Sequence, residues 1–325
     1  MSAPTQATVS LVIPLLNEAA GFSILRERLA NLVAELPAEY EAEIVLIDDG
    51  SSDGTWEQIC EFAGADARVK GISLSRNFGH QNALFCGYEA ATGDAIVSMD
   101  GDLQDPPELI LEMLAAWREG AEIVHAVRES RADETWFKIA TAHAFYRFIR
   151  FVGEVHAPLD CGDFRLMSRK ALDALLRMRE KHKYLRGMVG WLGFESRIIH
   201  YQRPGRAAGE TKFSLMKMLR FGIDGVLSFS KFPLRLAFWM SAVATLPFLI
   251  YLLYALIKSF AGGEGLVPGW TSLLLCIVVF GSLNLFALGI LGEYVGRVFD
   301  TVKNRPDYLI ANRTADKPTD DGHGR

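Results

Sequence analysis

Two stretches near the C-terminus constrain this chain more than anything else in it. Residues 234–257 carry a single charge, Arg235 near their start, and residues 270–291 carry none. As helices, each is long enough to cross a hydrocarbon layer of about 30 Å. Two such runs in tandem, each with polar flanks, read as a pair of membrane helices rather than as buried core helices. The link between them, residues 259–269, has no Lys or Arg. The outer flanks are basic, with Lys212, Lys217, Arg220, Lys231 and Arg235 before and Arg297, Lys303, Arg305 and Arg313 after. The excess of cations on cytoplasmic loops then predicts that both flanks are cytoplasmic and the link external. The inner plasma membrane is the expected location, with the remaining domain and both termini in the cytoplasm.

The rest of the chain has a different composition. Charged residues make up 22% of the 325, and the net charge is −5. An acidic balance gives no support for a nucleic-acid partner, which needs a basic surface against phosphates. The four cysteines (Cys60, Cys86, Cys161 and Cys276) form no CxxC pair. They read as incidental thiols in a reducing compartment. The first residues lack a basic segment followed by an apolar core, so no signal peptide is expected.

From residue 9 to about 199, short β-branched runs alternate with longer amphipathic ones. Strands are predicted at 9–14, 43–47, 69–74 and 95–99, and helices at 18–35, from 55, at 80–91 and from 106. This alternation implies an α/β domain with a mostly parallel sheet. Ligands of such sheets bind beyond the carboxyl ends of the strands. The polar residues there include Asn17, Glu18, Asp48, Asp49, residues 75–77 and residues 100–105. Residues 213–231 interleave apolar and basic side chains, a pattern suited to lying in a membrane interface. Residues 136–152 form a second candidate of this kind, with no internal repeat anywhere in the chain.

The strongest local signal is MDGDLQDPPE at residues 99–108. Asp100 and Asp102, separated by Gly101 where a strand opens into a loop, can share a hard divalent cation with phosphates and water. DDGSSDGT at 48–55 places Asp49 to accept hydrogen bonds from a ribose or base. GxGxxG after the first strand, GxxxxGK[ST], HExxH and GxSxG are all missing, so dinucleotide oxidation, P-loop hydrolysis and those hydrolase classes lose their sequence support. The dispersed histidines read as surface or packing residues.

IPLLNE (13–18), DDGSSDGT, SRNFGHQNAL (75–84), DGDLQDPPE, DCGDFRLMSR (160–169) and GEYVGRVFDTVKNRPDYLI (292–310) together resemble family 2 glycosyltransferases. More narrowly they resemble the polyprenyl-phosphate enzymes, with two terminal membrane helices fitting the bactoprenol glucosyltransferase branch better than dolichyl-phosphate mannose synthases. The resemblance implies a GT-A-type nucleotide-sugar-binding domain over 1–211, a juxtamembrane helix at 212–232, two membrane helices in 233–298 and a cytoplasmic tail at 299–325 with a disordered end. It implies that Pro14, Leu16, Glu18, Ile47 and Asp49 line the nucleoside pocket. It also implies that Asp100, Asp102 and Gln104 hold Mg²⁺ or Mn²⁺, with Gly101 beside the nucleotide-sugar.

Within RPGRAAGETKFS, Arg206 and Lys212 match the family's loop that grips phosphate, and Arg128 is a weaker phosphate candidate. Asp163 aligns with the position usually assigned as catalytic base. A phosphate acceptor, mostly ionised at neutral pH, hardly needs one, so Asp163 is expected to orient sugar or acceptor. The implied reaction is inverting transfer from a UDP-sugar, glucose first, to polyprenyl (undecaprenyl) phosphate by a membrane-bound homo-oligomer, with GDP-mannose or another UDP-sugar as the alternative donor. Two rivals are a processive polysaccharide synthase, which would need a QxxRW motif and more membrane helices, and an inactive nucleotide-sugar-binding scaffold subunit.

Overall fold

A computed structural model describes residues 6–128 except 103, 161–201 except 179 and 182, and 269–314, with isolated helical positions between 237 and 257. Residues 136–152 and 213–231, and most of 234–257, lie outside the described residues. The chain divides into two units, one of residues 1–146, 155–212 and 306–325 and the other of 147–154 and 213–305.

The first unit is built on one eight-stranded sheet. Its strands are β1 (Ala7–Leu15), β2 (Tyr40–Asp48), β3 (Val69–Leu74), β4 (Ala95–Ser98), β5 (Ile123–Arg128), β6 (Cys161–Ser168), β7 (Ser196–Tyr201) and β8 (Ile310–Arg313). Helices α1 (Phe22–Glu35), α2 (Thr55–Ala65), α3 (His80–Ala90), α4 (Leu109–Arg118), α5 (Arg169–Leu176) and α6 (Leu185–Trp191) alternate with them. The order is β7-β5-β6-β4-β1-β2-β3-β8.

β4, β1, β2 and β3 form a parallel block, as the β-branched runs predict. β1 and β2 are buried over most of their length, which explains why they read as continuous apolar runs rather than alternating ones. The sheet as a whole is mixed, because β6 runs antiparallel to both β4 and β5, and β8 antiparallel to β3. The chain proceeds from β1 outward to β3 and then returns to place β4 on the other side of β1. That reversal opens a crevice between the ends of β1 and β4, where α/β sheets bind their ligands.

β8 was not expected in a segment read as the start of a polar tail. It covers the exposed edge of β3, and Thr314 Oγ1 extends the pairing by accepting from the Gly71 amide at 2.9 Å.

In the second unit the described part is mainly α7 (Trp270–Lys303), 34 residues long. At 1.5 Å per residue it measures about 51 Å. Among the described residues it supplies the one helix long and apolar enough to cross a membrane, over Cys276–Lys303, and none of that window is buried. Leu273, Ile277, Leu285, Leu288 and Leu291 are all exposed on it.

Candidate active site

The loop after β2 is shaped by its own carboxylates. Asp48 accepts from the Ser51 amide at 3.0 Å and from Ser73 Oγ at 2.9 Å, so it ties the loop to β3. Gly50 takes a φ of +73°, and a Cβ there would run into the Arg76 backbone. The loops after β2 and β3 can therefore touch only with glycine at this position. Asp49 is 2% exposed and accepts from the Phe78 amide at 2.7 Å and the Gly79 amide at 3.0 Å. It thereby fixes the turn that launches α3. A carboxylate has about four lone-pair sites, so Asp49 keeps capacity for a ligand donor.

In the loop after β1, Asn17 adopts a φ of +55°, and its Oδ1 accepts from the Ser52 amide at 2.9 Å. Asp53 Oδ2 accepts from the Ala19 amide at 3.0 Å. The loops after β1 and β2 are thus laced together. Pro14 and Ile47 are neighbours in register, both buried, while Leu16 is exposed. Gly101 lies so close to β1 that a Cβ would meet the Leu15 side chain.

The acidic loop after β4 folds back on itself. Asp105, 4% exposed, accepts from Tyr201 of β7 at 2.8 Å and faces the Asp100 amide. Asp102 accepts from the Gln104 amide at 3.1 Å. Asp100 Oδ1 is buried without a hydrogen bond. Burial, together with the nearby Asp105, Asp163 and Asp102, pushes the Asp100 carboxyl up to about 6 against the opposing pull of His80. Glu18 is raised as well, by burial first and then by Asp102 and Asp53. The carboxyls of Asp100 and Glu18 are thus both biased toward their protonated forms by burial and by neighbouring carboxylates.

Asp163 has the opposite surroundings. It lies on β6, and its side chain is 5% exposed. Oδ1 accepts from Arg165 at 2.9 Å and from Arg186 Nε at 3.3 Å, and Oδ2 accepts from Gln81 Nε2 and a second Arg186 nitrogen, both at 3.2 Å. His80 Nε2 lies 3.4 Å from Asp163 Oδ2 and 3.5 Å from Asp100 Oδ1. Burial alone would raise Asp163, but His80, Arg165 and Arg186 outweigh it and hold the carboxyl far below the usual range. Asp163 raises His80 in turn, against the effect of burial. A carboxylate this firmly ionised is a weak proton acceptor at neutral pH.

The structure therefore brings Asp100 and Asp163 together around His80, and places Asp49 at the foot of the helix that carries His80. Arg206 and Lys212 lie outside the described residues, and for Arg128 the strand places the backbone opposite Tyr201. His80 is partly exposed, as the reading of the histidines as surface residues expects, but its contacts with Asp163 and Asp100 were not anticipated. Its signal was its place in SRNFGHQNAL, one position past the loop after β3. Arg165 sits two residues from Asp163 on the same strand face, within a motif already singled out. Gln81 lies in the same motif as His80, whereas Arg186 had no comparable local signal.

Glycosyl transferase family 2 matches residues 10–176 of the chain. The "Uncharacterized glycosyltransferase YkcC" of Bacillus subtilis (strain 168) is 42% identical over 93% of this chain and 92% of its own length. The chain belongs to glycosyltransferase family 2. The "Prophage bactoprenol glucosyl transferase homolog" of Escherichia coli (strain K12) is 37% identical over 93% of this chain and 98% of its own length. Among solved structures, glucosyl-3-phosphoglycerate synthase from Mycobacterium tuberculosis in complex with Mn²⁺, UDP and glucosyl-3-phosphoglycerate is matched at 18% identity and a TM-score of 0.45. That match covers 68% of this chain and 79% of the other, a general likeness only. In this family 2 chain, the matched region takes in β1 to α5 and so contains both Asp100 and Asp163.

Proposed function

We propose that this family 2 glycosyltransferase transfers a sugar, glucose first, from its UDP-sugar to polyprenyl phosphate at the cytoplasmic face of the membrane. The observation that carries the reading is the state of Asp163. A carboxylate ion-paired with Arg165 and Arg186, with His80 beside it, suits an acceptor that arrives without a proton to lose. A phosphate monoester, with a second pKa near 6, is such an acceptor. The bactoprenol glucosyl transferase names of relatives at 37% identity support the same carrier. The apolar surface of α7 fits a lipid-embedded acceptor.

In this reading a phosphate oxygen of the acceptor attacks the anomeric carbon. The bond from that carbon to the nucleoside diphosphate breaks, and the configuration inverts. Asp163 orients sugar or acceptor, and Asp49 faces the nucleoside. Arg206 and Lys212 grip phosphate oxygens, as does Arg128 more weakly.

The acidic loop fits a divalent cation. Asp100 Oδ1 is a buried acceptor lacking a hydrogen-bond donor, and Asp102 adds a second carboxylate. Among the described residues no group of three His, Cys, Asp or Glu is placed to hold a metal alone. The set therefore suits Mg²⁺ or Mn²⁺, whose remaining ligands come from diphosphate and water. When bound, such an ion neutralises charge developing on the departing diphosphate.

The test is radiolabel transfer from UDP-glucose to undecaprenyl phosphate by detergent-purified protein with Mg²⁺ or Mn²⁺, with an EDTA control. Metal-dependent label in the lipid extract supports donor, acceptor and metal together. Silence across a panel of UDP- and GDP-sugars, with nucleotide-sugar binding intact, would replace this reading with that of an inactive scaffold subunit. Polymeric product would favour a processive synthase.

A further inference from the structure

The segment just past α7 reaches the catalytic site through a short ionic relay. Asp307 Oδ1 pairs with Lys181 Nζ at 3.1 Å, and its Oδ2 pairs with Lys183 Nζ at 3.1 Å. Lys183 is no surface lysine. Its side chain is 2% exposed, its ammonium lies 3.9 Å from the Phe85 ring of α3, and it donates to the Glu180 carbonyl at 3.0 Å. The next residues form the start of α6. There the Leu185 amide donates to Gln81 Oε1 at 3.1 Å, and Arg186 donates to both oxygens of Asp163. Gln81, Phe85 and His80 all belong to α3, so the turn before α6 is pinned between that helix and Asp307.

We propose that Asp307 is a positioning residue for the site, holding Lys181 and Lys183 ahead of α6 so that Arg186 stays seated on Asp163. Removing the Asp307 charge leaves the Lys183 ammonium buried without its counterion. The turn must then shift to bring that ammonium to water, and Arg186 moves with it. The expected effect on rate rests on the transfer reaction proposed above, whereas the positioning itself does not.

The experiment uses full-length protein in detergent and compares wild type with Asp307→Asn, Asp307→Glu and Thr314→Val. Thr314→Val removes the side-chain hydrogen bond from the Gly71 amide, keeps the backbone bond between these two residues and leaves the relay intact. Two quantities are read, amide hydrogen exchange in peptides covering 180–190, and kcat with the donor KM. Asp307→Asn should speed exchange at 180–190 at least about fivefold and lower kcat about tenfold, with donor KM within about twofold. Asp307→Glu should recover most of both. Thr314→Val should change neither, and in an Arg186→Ala background Asp307→Asn should cost nothing further.

If Asp307→Asn expresses poorly, Lys181→Gln removes one arm of the relay and should act in the same direction with smaller effect. Unchanged exchange at 180–190 in Asp307→Asn would overturn the proposal, as would equal effects from Asp307→Asn and Thr314→Val. Altered exchange in a protein that transfers no sugar would uphold the positioning and remove the reaction.

Discussion

Replacing Asp163 by Asn tests the charge arrangement of the site most directly. The side chain is almost fully enclosed, and its two oxygens receive one donor from Arg165, two from Arg186 and one from Gln81, with His80 alongside. Asparagine keeps the shape but offers one acceptor oxygen, and it turns an amide group toward cations that can only donate. Arg165, at 1% exposure, cannot move its charge to water. Removing one partner of a buried ion pair costs about 3–5 kcal/mol. For a unit of this size each kcal/mol is worth about 2–4 °C, so the unfolding midpoint should fall by about 6–20 °C.

The pH dependence carries a sign as well. The folded carboxyl is depressed, so its contribution is complete above the unfolded-chain value near 3.9 and disappears as pH falls below it. The gap between wild type and variant should therefore narrow below about pH 4, and the share of it carried by protonated His80, whose pKa Asp163 raises, should fade as pH climbs above about 6.5. Sugar transfer should fall about 100-fold as the site loses its alignment. Thermal unfolding across pH, followed by circular dichroism, makes the measurement. A variant that melts with wild type at pH 7 would refute the claim that Asp163 is the counterion of a buried cationic cluster.

Glu43 offers a second pH test at the opposite end of the sheet. Burial would raise its carboxyl, but Lys70, Ser10 and Thr92 bring it down to about 2. This contributes about 3 kcal/mol that is present above pH ~4.5 and lost as pH falls toward 2. Glu43→Gln should thus lose denaturant resistance at pH 7 and converge on wild type near pH 3. Gly50→Ala forces a side chain onto a φ of +73° and into the Arg76 backbone. It should cost about 1–3 kcal/mol by thermal shift and weaken UDP binding by calorimetry. Asp102→Asn should raise the metal requirement of transfer at least about tenfold, and full activity at limiting metal would remove Asp102 from the metal site.

The parallel block was legible because its strands are buried on both faces and rich in Val, Ile and Leu. β6 was harder to read. Its sequence, CGDFRLMS, carries Asp163 and Arg165, a charged pair on a strand one expects to be apolar. Only the fold shows that the two neutralise one another inside the protein. β8, IANR, looks like tail because half its residues are polar and its partner β3 lies more than 200 positions earlier. Asp100 and Asp102 could be singled out because carboxylates at a strand end carry their own local signal, and Asp163 through the family motif that it matches. Arg186 could not, since its role depends on α6 converging with α3 on β6, a meeting that no spacing along the chain encodes.

β8 has a topological consequence for the route of the whole polypeptide. The chain departs from the sheet after β7 and rejoins the same sheet at β8, having made α7 on the way. One folded sheet sits on one side of any bilayer, so such an excursion must pierce the bilayer an even number of times. The two apolar runs expected from the sequence meet that parity, whereas a single passage by α7 alone would not. The sheet edge thus acts as a return address for the chain, and moving β8 to the other compartment would leave β3 without its neighbour.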